Sequence, residues 1–487
     1  MSRISKYIHP QWALAHRNSG VELRFINNRY YLYACKGVYD PISKKSKKIT
    51  GKLLGTITEK DGFVESEKRL LVGKASKGLI LDASTLSVRE FGFVAFLNEY
   101  NVLISQKLKE FFPEHYQIII YMAYCRFLYA SPIKNFALHI AKSMLSIDDN
   151  TIYTDKKFSE AYRVIGRNPE AITSYLKSFM KSNDHILVDL TNVFSASNNM
   201  RFAKEGYNAD MVFDKQFNLL YIYSAQLVQP VFYKILSGNI KDVRGFKISL
   251  QEAGIKDAIV IADKGFYSKE NVSFLKKEAI NFIIPLQRDS KLIDYSKLNK
   301  RENQYFKFQE RYIWHYSYQT EDMTIYLFKD EKLEVQEQKD YLDRIVSLPE
   351  KYNQEGFQRK IDVFGTIAMA SDVPNQDAKT IYCSYKSRNQ IEVMFDGFKN
   401  ILHADKTYMQ NEDALEGYML VNHVVLQWYY IIYNILKKNE QISKYSVMDL
   451  VTHLKEIKKV RINELWHTEP IIKASIAMLN KMKISIT

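Results

Sequence analysis

The stretch YKSRNQIEVMFDGFK, from Tyr385 to Lys399, brings together a phenol, a guanidinium, a carboxylate and an ammonium at spacings that can act as a set. Read as one helix turning about 100° per residue, Tyr385, Arg388, Glu392 and Lys399 fall within an arc of roughly 60°. Ile391, Met394, Phe395, Phe398 and Leu402 gather on an adjoining arc. The spacing therefore predicts an apolar flank to bury and a polar stripe left above the core. An acid flanked by a phenol and two cations suits a metal ion held beside a chain of phosphates. Arg388 and Glu392 are also four residues apart, the spacing of an ordinary solvated helix face, so the stripe acquires meaning only from acids elsewhere.

Two such acids lie upstream. The apolar run HILVDLT ends at Asp189, and the apolar run AIVIADKGF ends at Asp263, each as a buried strand does when it delivers one side chain to its edge. Between and after them come strand-like runs at 218–226 and 230–236, a turn at Gly238 and Asn239, helices near 245–254 and 269–278, and a further strand at 281–286. The predicted order is β-β-β-α-β-α-β, and parallel strands of this kind present functional groups at their carboxyl edges. Asp189, Asp263 and Glu392 would repel one another if clustered, unless a cation intervened, and hard oxygen ligands select Mg²⁺ or Mn²⁺. Two such ions about 3.5 to 4 Å apart support in-line attack on a phosphodiester by a water or a 3′-hydroxyl. Arg388, roughly 6 Å along the axis from Glu392, and Lys399, roughly 10 Å the other way, would each neutralise a phosphate, and Tyr385 would hydrogen-bond another.

The elements that must position these groups are spread over 487 residues, enough for about three domains with a sizeable core. Lys and Arg number 69 against 55 Asp and Glu, a formal charge of +14, which favours a polyanionic partner and makes nucleic acid the leading one. Cys35, Cys125 and Cys383 form no CxxC pair, so neither a disulfide framework nor a thiolate zinc site is indicated and a reducing, cytoplasmic setting fits. The first twenty residues lack the apolar segment of a secretory signal. Residues 418–436 are uncharged and long enough to span a bilayer, but Asn422, His423, Gln427 and Asn434 interrupt them, and a helix buried behind a sheet has the same composition. No membrane association is expected. The ten histidines show no HExxH or paired spacing, and His403 and His423 read as structural. Asp184, Asp396 and Asp405 lie near the acids in sequence without reading as ligands. A GxxxxGKS/T phosphate loop is absent.

In chain order, residues 1–75 read as a small basic β unit whose loop SKKSKK, with Lys44, Lys45, Lys47, Lys48 and Lys52, can track a phosphate backbone. Residues 76–180 turn helical, with Pro132 and Pro169 near helix starts, and are expected to bind DNA ends. Residues 181–290 and 381–440 form the two parts of one α/β core, interrupted at 291–380 by a strand-rich insertion with charged loops. Residues 441–487 read as a helical, basic tail suited to dimerisation or DNA binding.

The pattern Tyr, two residues, Arg, three residues, Glu, six residues, Lys is the signature of a large group of bacterial insertion-sequence transposases, and the match is complete at Tyr385, Arg388, Glu392 and Lys399. ADKGFYS resembles that group's second-acid block at Asp263, and DLT resembles its first-acid block at Asp189, although Leu190 stands where a small residue is usual. The resemblance covers about residues 181–440. It implies a ribonuclease-H-like DDE catalytic core with two Mg²⁺ or Mn²⁺ ions on Asp189, Asp263 and Glu392. It also implies a homodimeric synapse on double-stranded DNA that grips terminal inverted repeats, cuts them and joins a 3′-hydroxyl to target DNA. In some relatives a tryptophan of the insertion assists a flipped base during hairpin formation, and Trp314 lies in the corresponding region; the packing of a strand aromatic into the insertion's own core is the stronger expectation for it. Two other readings are a nuclease with the same metal site and no strand transfer, and a repurposed DNA-binding protein.

Overall fold

The aromatic and β-branched runs near the start of the chain pair as a four-stranded antiparallel sheet, β1 (Val21–Ile26), β2 (Arg29–Asp40), β3 (Lys45–Thr58) and β4 (Gly62–Glu65), in that order. The structure, a computed structural model, describes residues 9–40, 45–66, 86–147, 149–206, 214–239, 242–299, 304–462 and 464–486. Lys44 and part of the SKKSKK loop lie outside them. Residues 1–86 form one compact unit and residues 87–487 another. The first has a small core of Ala13, Tyr30, Leu32 and Ile57, with Trp12 from the short helix α1 (Gln11–Leu14) packed against it.

In the second unit, apolar runs bounded by turns become a large mixed sheet. Its first strands are β6 (His185–Ser195), β7 (Gln216–Ser224) and β8 (Gln229–Ser237), a meander of antiparallel pairs; β5 (Ser87–Glu90) belongs to a separate small sheet. Helix α8 (Asp242–Ala253) leads to β9 (Ile259–Ala262), which runs parallel to β6, and α9 (Lys269–Lys277) leads to β10 (Asn281–Pro285), parallel to β9. The labels α2 to α7 belong to the preceding helices Gly92–Tyr100, Val102–Phe111, Tyr116–Tyr129, Phe136–Ala141, Asp155–Gly166 and Pro169–Lys177. The predicted β-β-β-α-β-α-β order is the observed one. β7 is buried at every position, which its uninterrupted QFNLLYIYS requires if both faces of the sheet are covered.

The segment after β10 is strand-rich and continues the core sheet. Its strands β11 (Gln304–Phe308), β12 (Arg311–Gln319), β13 (Thr324–Asp330) and β14 (Thr366–Ser371) extend the same sheet, with β14 pairing antiparallel to β10. The expected charged loops are partly helical: EKLEVQEQKDYLDRIVS forms α10 (Glu331–Ser347), capped by the Asp330 carboxylate on the Lys332 and Leu333 N–H groups, and α11 (Gln354–Lys360) follows. Only Tyr341 of α10 is buried, so the helix has almost no apolar stripe by which a sequence could reveal it.

The stretch carrying Glu392 is also not one helix. α12 (Ala378–Lys386) ends before a tight turn in which Arg388 N–H donates to Tyr385 O at 3.0 Å and Ser387 Oγ–H to Ser384 O at 2.6 Å. α13 (Asn389–Asp396) follows and widens into a π-turn at Gly397–Ile401. A two-residue strand, β15 (Lys406–Thr407), pairs with the end of β6. Then α14 (Glu412–Lys438) runs for 27 residues.

α14 contains the uncharged stretch considered above as a membrane span. Among the described residues no helix is long and apolar enough to cross a membrane, and α14 is buried against α4, α6 and β8. Most of its interrupting polar residues have internal partners, His423 excepted: Arg126 donates to Asn422 Oδ1, Tyr418 Oη and Leu402 O, Tyr175 Oη–H to Gln427 Oε1, Asn434 Nδ2–H to Leu227 O, and Trp428 Nε1–H to Asn101 Oδ1. The backbones of α6 and α14 touch at two glycines. A Cβ on Gly166 would stand 1.8 Å from Asp413 O, and one on Gly417 would stand 2.1 Å from Tyr162 O. The helices of 92–177 share one continuous apolar core with the sheet and α14, so they are not a domain apart. The tail likewise departs from the helical expectation: between α15 (Val447–Lys455) and α16 (Lys473–Met482), KKVRI and LWHT form the hairpin β16 (Lys458–Ile462) and β17 (Leu465–Thr468), and β16 pairs with β5.

Candidate active site

Parallel pairing of β6 with β9 brings the first two acids to the same edge. The last paired positions are Val188 and Ala262, so Asp189 and Asp263 are the next residue on each strand. Asp189 does not end its strand, as its apolar run suggested; β6 continues to Ser195 because β7 remains paired with it and β15 joins its far end. What ends at Asp189 is the parallel neighbour. Asp263 begins a 3₁₀ turn over Lys264–Phe266, closed by Phe266 N–H on Asp263 O at 3.0 Å and anchored by the buried Phe266 ring against Phe246.

α13 supplies the third acid. Asp189 stands opposite Tyr221 on β7, and directly opposed residues share one face of a sheet. On that face the Tyr221 ring lies 6.1 Å from both Phe395 and Phe398, which with Ile391 and Met394 bury the apolar side of α13 and its π-turn. Burying such side chains is worth about 1.5–3 kcal/mol each. That packing leaves Glu392, one turn earlier, half exposed above the sheet edge.

Arg388 joins the two sources. It donates to Asp189 Oδ2 at 2.8 Å and to Glu392 Oε1 at 2.6 Å. Its side chain is 14% exposed and that of Asp189 15%, whereas that of Glu392 is 52% exposed. The Arg388 Nε–H has no partner among the described residues. Burial pushes the Asp189 carboxyl up to about 6, against the pull of Arg388 and the Leu190 N–H, and the Asp263 and Glu392 charges push it the same way. Burial also raises the Tyr385 phenol, with Arg388 opposing and all three acids adding. Asp263 and Glu392 thus both act on Asp189, and all three acids act on Tyr385.

Among the described residues no three His, Cys, Asp or Glu side chains stand close enough to hold a metal ion. The reason is visible in the pairing, since the Arg388 guanidinium sits between Asp189 and Glu392. These three residues offer carboxylate oxygens alone, a chemistry that suits Mg²⁺ or Mn²⁺ rather than zinc. Asp184, also near in sequence, is committed elsewhere: buried, it accepts from Ser224 Oγ–H and the Gln226 N–H.

Two cavities open on either side of Tyr385. One, of about 370 Å³, is lined by Phe308, Arg311, Tyr382, Lys386, Arg388 and Glu392. The other, of about 600 Å³, includes Asp263, Lys264, Arg288 and Glu337. Arg311 pairs with the buried Asp330 at 3.0 Å, and the Lys386 ammonium lies 5.1 Å from the centre of the Tyr382 ring. Neither Arg311 nor Lys386 was marked by the sequence pattern. Lys386 falls off the arc of a single helix, and only its basic character beside Tyr385 hinted at it; Arg311 arrives from the β11–β12 turn.

Lys399, in the π-turn, forms no ion pair with the three acids. Trp314, on β12, does not line the cavity beside Glu392. Its Nε1–H donates to Glu331 Oε1 at 2.9 Å and its ring lies 5.2 Å from Tyr305, within an aromatic cluster of the β11–β12 hairpin.

Residues 180–428 match the family model of the transposase DDE domain. No curated protein matches the chain. Among solved structures it is similar to the piggyBac transposase in a cryo-EM synaptic complex with hairpin DNA, at 8% identity and a TM-score of 0.37, over 75% of this chain and 79% of that one.

Proposed function

The chain belongs to the transposase DDE domain family, and from that premise we propose that it is the DNA transposase of an insertion sequence, with Asp189, Asp263 and Glu392 as its catalytic acids. The single observation that supports the assignment is that Arg388 ties Asp189 to Glu392 while Asp263 follows the adjacent parallel strand at the same edge. The strand order β8-β7-β6-β9-β10, antiparallel for three strands and parallel for the next two, supports a ribonuclease-H-like core.

The acids would hold two divalent ions, Mg²⁺ or Mn²⁺. Bound there, such ions activate a water or 3′-hydroxyl and stabilise the departing oxygen of a phosphodiester. The chain's own residues do the rest. Arg388 keeps the buried Asp189 charge compensated in the free protein and, once the acids take their ions, is placed to receive a phosphate. Lys386 and Arg311 line the cavity beside Glu392 with positive charge, Tyr385 offers a phenolic donor between the two cavities, and Lys399 extends the cationic side of α13. Trp314 would contact DNA from the β11–β12 hairpin. Double-stranded DNA carrying the terminal inverted repeats is the substrate, with a homodimer forming the synapse.

The deciding experiment compares wild type with Glu392→Gln on a duplex carrying the element's own termini. Nicking that depends on Mg²⁺ or Mn²⁺ should fall by 10³-fold or more while end binding changes little. Cleavage at the wild-type rate removes Glu392 from the site. Joining of a pre-cut 3′ end to a second duplex distinguishes a transposase from a nuclease.

A further inference from the structure

The hairpin β2–β3 outgrows its sheet. β1 covers β2 only as far as Ala34, and β4 covers β3 only from Gly55 onward. Cys35 N–H still donates to Gly20 O and Thr50 still bonds Arg24 and Glu22, but from Lys36↔Ile49 to Asp40↔Lys45 the five residue pairs have no third strand beside them among the described residues. Register shifts at Leu32, Tyr33 and Cys35 mark where the two strands leave the sheet, as bulges do when they redirect a ribbon. At about 3.3 Å per residue the free part is roughly 17 Å long.

Both of its faces are exposed. Cross-strand pairing sets Lys36 opposite Ile49 and Val38 opposite Lys47, with Lys45 next along the same face; Lys48 and Tyr39 lie on the other. Val38 is 48% exposed, Tyr39 62% and Ile49 54%. None of these lysines forms an ion pair among the described residues; the Glu22 carboxyl is held below its usual range by its hydrogen bonds with Thr50 and Arg24, with a smaller contribution from the Lys48 charge. Lysines on a free edge serve by themselves to prevent aggregation. That role does not explain why Val38, Tyr39 and Ile49 stand uncovered between them on a two-stranded ribbon, an element only marginally stable alone.

We infer that this ribbon is a DNA-docking arm that lies in the major groove of a duplex, the face of Val38 and Ile49 against base edges and its lysines reaching the flanking phosphates. The inference rests on the chain acting on DNA, as proposed above, and adds a contact surface outside the catalytic unit. Charge complementarity selects the partner. Width selects the groove: two strands with their side chains fit the roughly 12 Å major groove and not the roughly 6 Å minor groove of B-DNA.

The test uses the full chain and a duplex of about 30 base pairs, with Lys36, Lys45, Lys47 and Lys48 all changed to Gln. Each phosphate contact contributes about 0.9 to the slope of log affinity against log salt, so loss of all four should make the variant's slope shallower by about 3.6, with affinity at physiological salt roughly tenfold or more weaker. Replacement of the same four by Arg should retain the wild-type slope, which separates loss of charge from loss of folding. Wild type should protect guanine N7, a major-groove atom, from methylation, and the Gln variant should lose part of that protection. An unchanged slope, or N7 protection identical in both proteins, overturns the arm while leaving the catalytic reading intact. A shallower slope without any metal-dependent nicking supports the arm and removes the catalytic reading instead. A wild-type chain that binds no duplex overturns both.

Discussion

β7 and β3 are both long strands in antiparallel surroundings, and they differ in what surrounds them. Every residue of β7 is buried between two covered faces, whereas β3 is exposed from Lys45 to Ile49 and reaches full burial only at Gly55 and Ile57. β7 finds its partners within the chain: β6 and β8 at its edges, and Phe395, Phe398 and His423 around its Tyr221. It fixes β6 and α13, and through them the acids. The outer part of β3 has one strand for company and lysines pointing to solvent. Burial marks the part of the molecule that sets geometry, and exposed mixed apolar and cationic surface marks the part completed by something outside the chain.

The contrast is sharpest where backbone meets backbone. Gly166→Ala should destabilise the second unit by about 3 kcal/mol or more, because its Cβ meets the Asp413 carbonyl at 1.8 Å and neither helix can retreat without opening the core. Denaturant unfolding of the variant measures it. A change below 1 kcal/mol would mean that α6 and α14 are not pressed together as described.

A smaller effect comes from His423, fully buried beside Tyr221 and Tyr233 with neither ring nitrogen partnered among the described residues. Burial lowers its pKa to about 3. The unfolded chain binds a proton there below about 6.5 and the folded chain does not until about 3, so stability is lost as pH falls through that window. At pH 5 the loss is about 2 kcal/mol relative to neutral pH. His423→Phe should abolish that component; an unaltered dependence of stability on pH between 7 and 5 would exclude a buried neutral His423. Smallest is Tyr39→Ser on the ribbon, which should change unfolding free energy by no more than about 0.5 kcal/mol. A large loss there would show the ribbon to be held by contacts within the chain.

Much of the catalytic unit is legible in the sequence because its logic is local. Apolar runs closed by Asp189 and Asp263 announce strands that deliver an acid, and the apolar flank of Ile391, Met394 and Phe395 announces a helix that presents Glu392. What escapes depends on tertiary pairing. Arg388 meets Asp189 across 199 residues of sequence, and no spacing rule reports such a contact. The break before α13 was hidden because YKSRNQ has no proline or glycine; the tight turn there is closed by backbone bonds and Ser387. α10 was missed for want of an apolar stripe, and the C-terminal hairpin because its lysine-bearing strand β16 finds its second partner, β5, at the start of the unit.

The most direct test of the shared acid site replaces Mg²⁺ with Fe²⁺ on the DNA-bound protein and maps where peroxide and ascorbate cut the polypeptide, since an iron ion cleaves the backbone next to its own ligands. Cuts clustered at residues near 189, 263 and 392 in one molecule are the expected result, all lost together in Glu392→Gln. Cuts that omit any one of the three segments, or that persist in the variant, would contradict a common site.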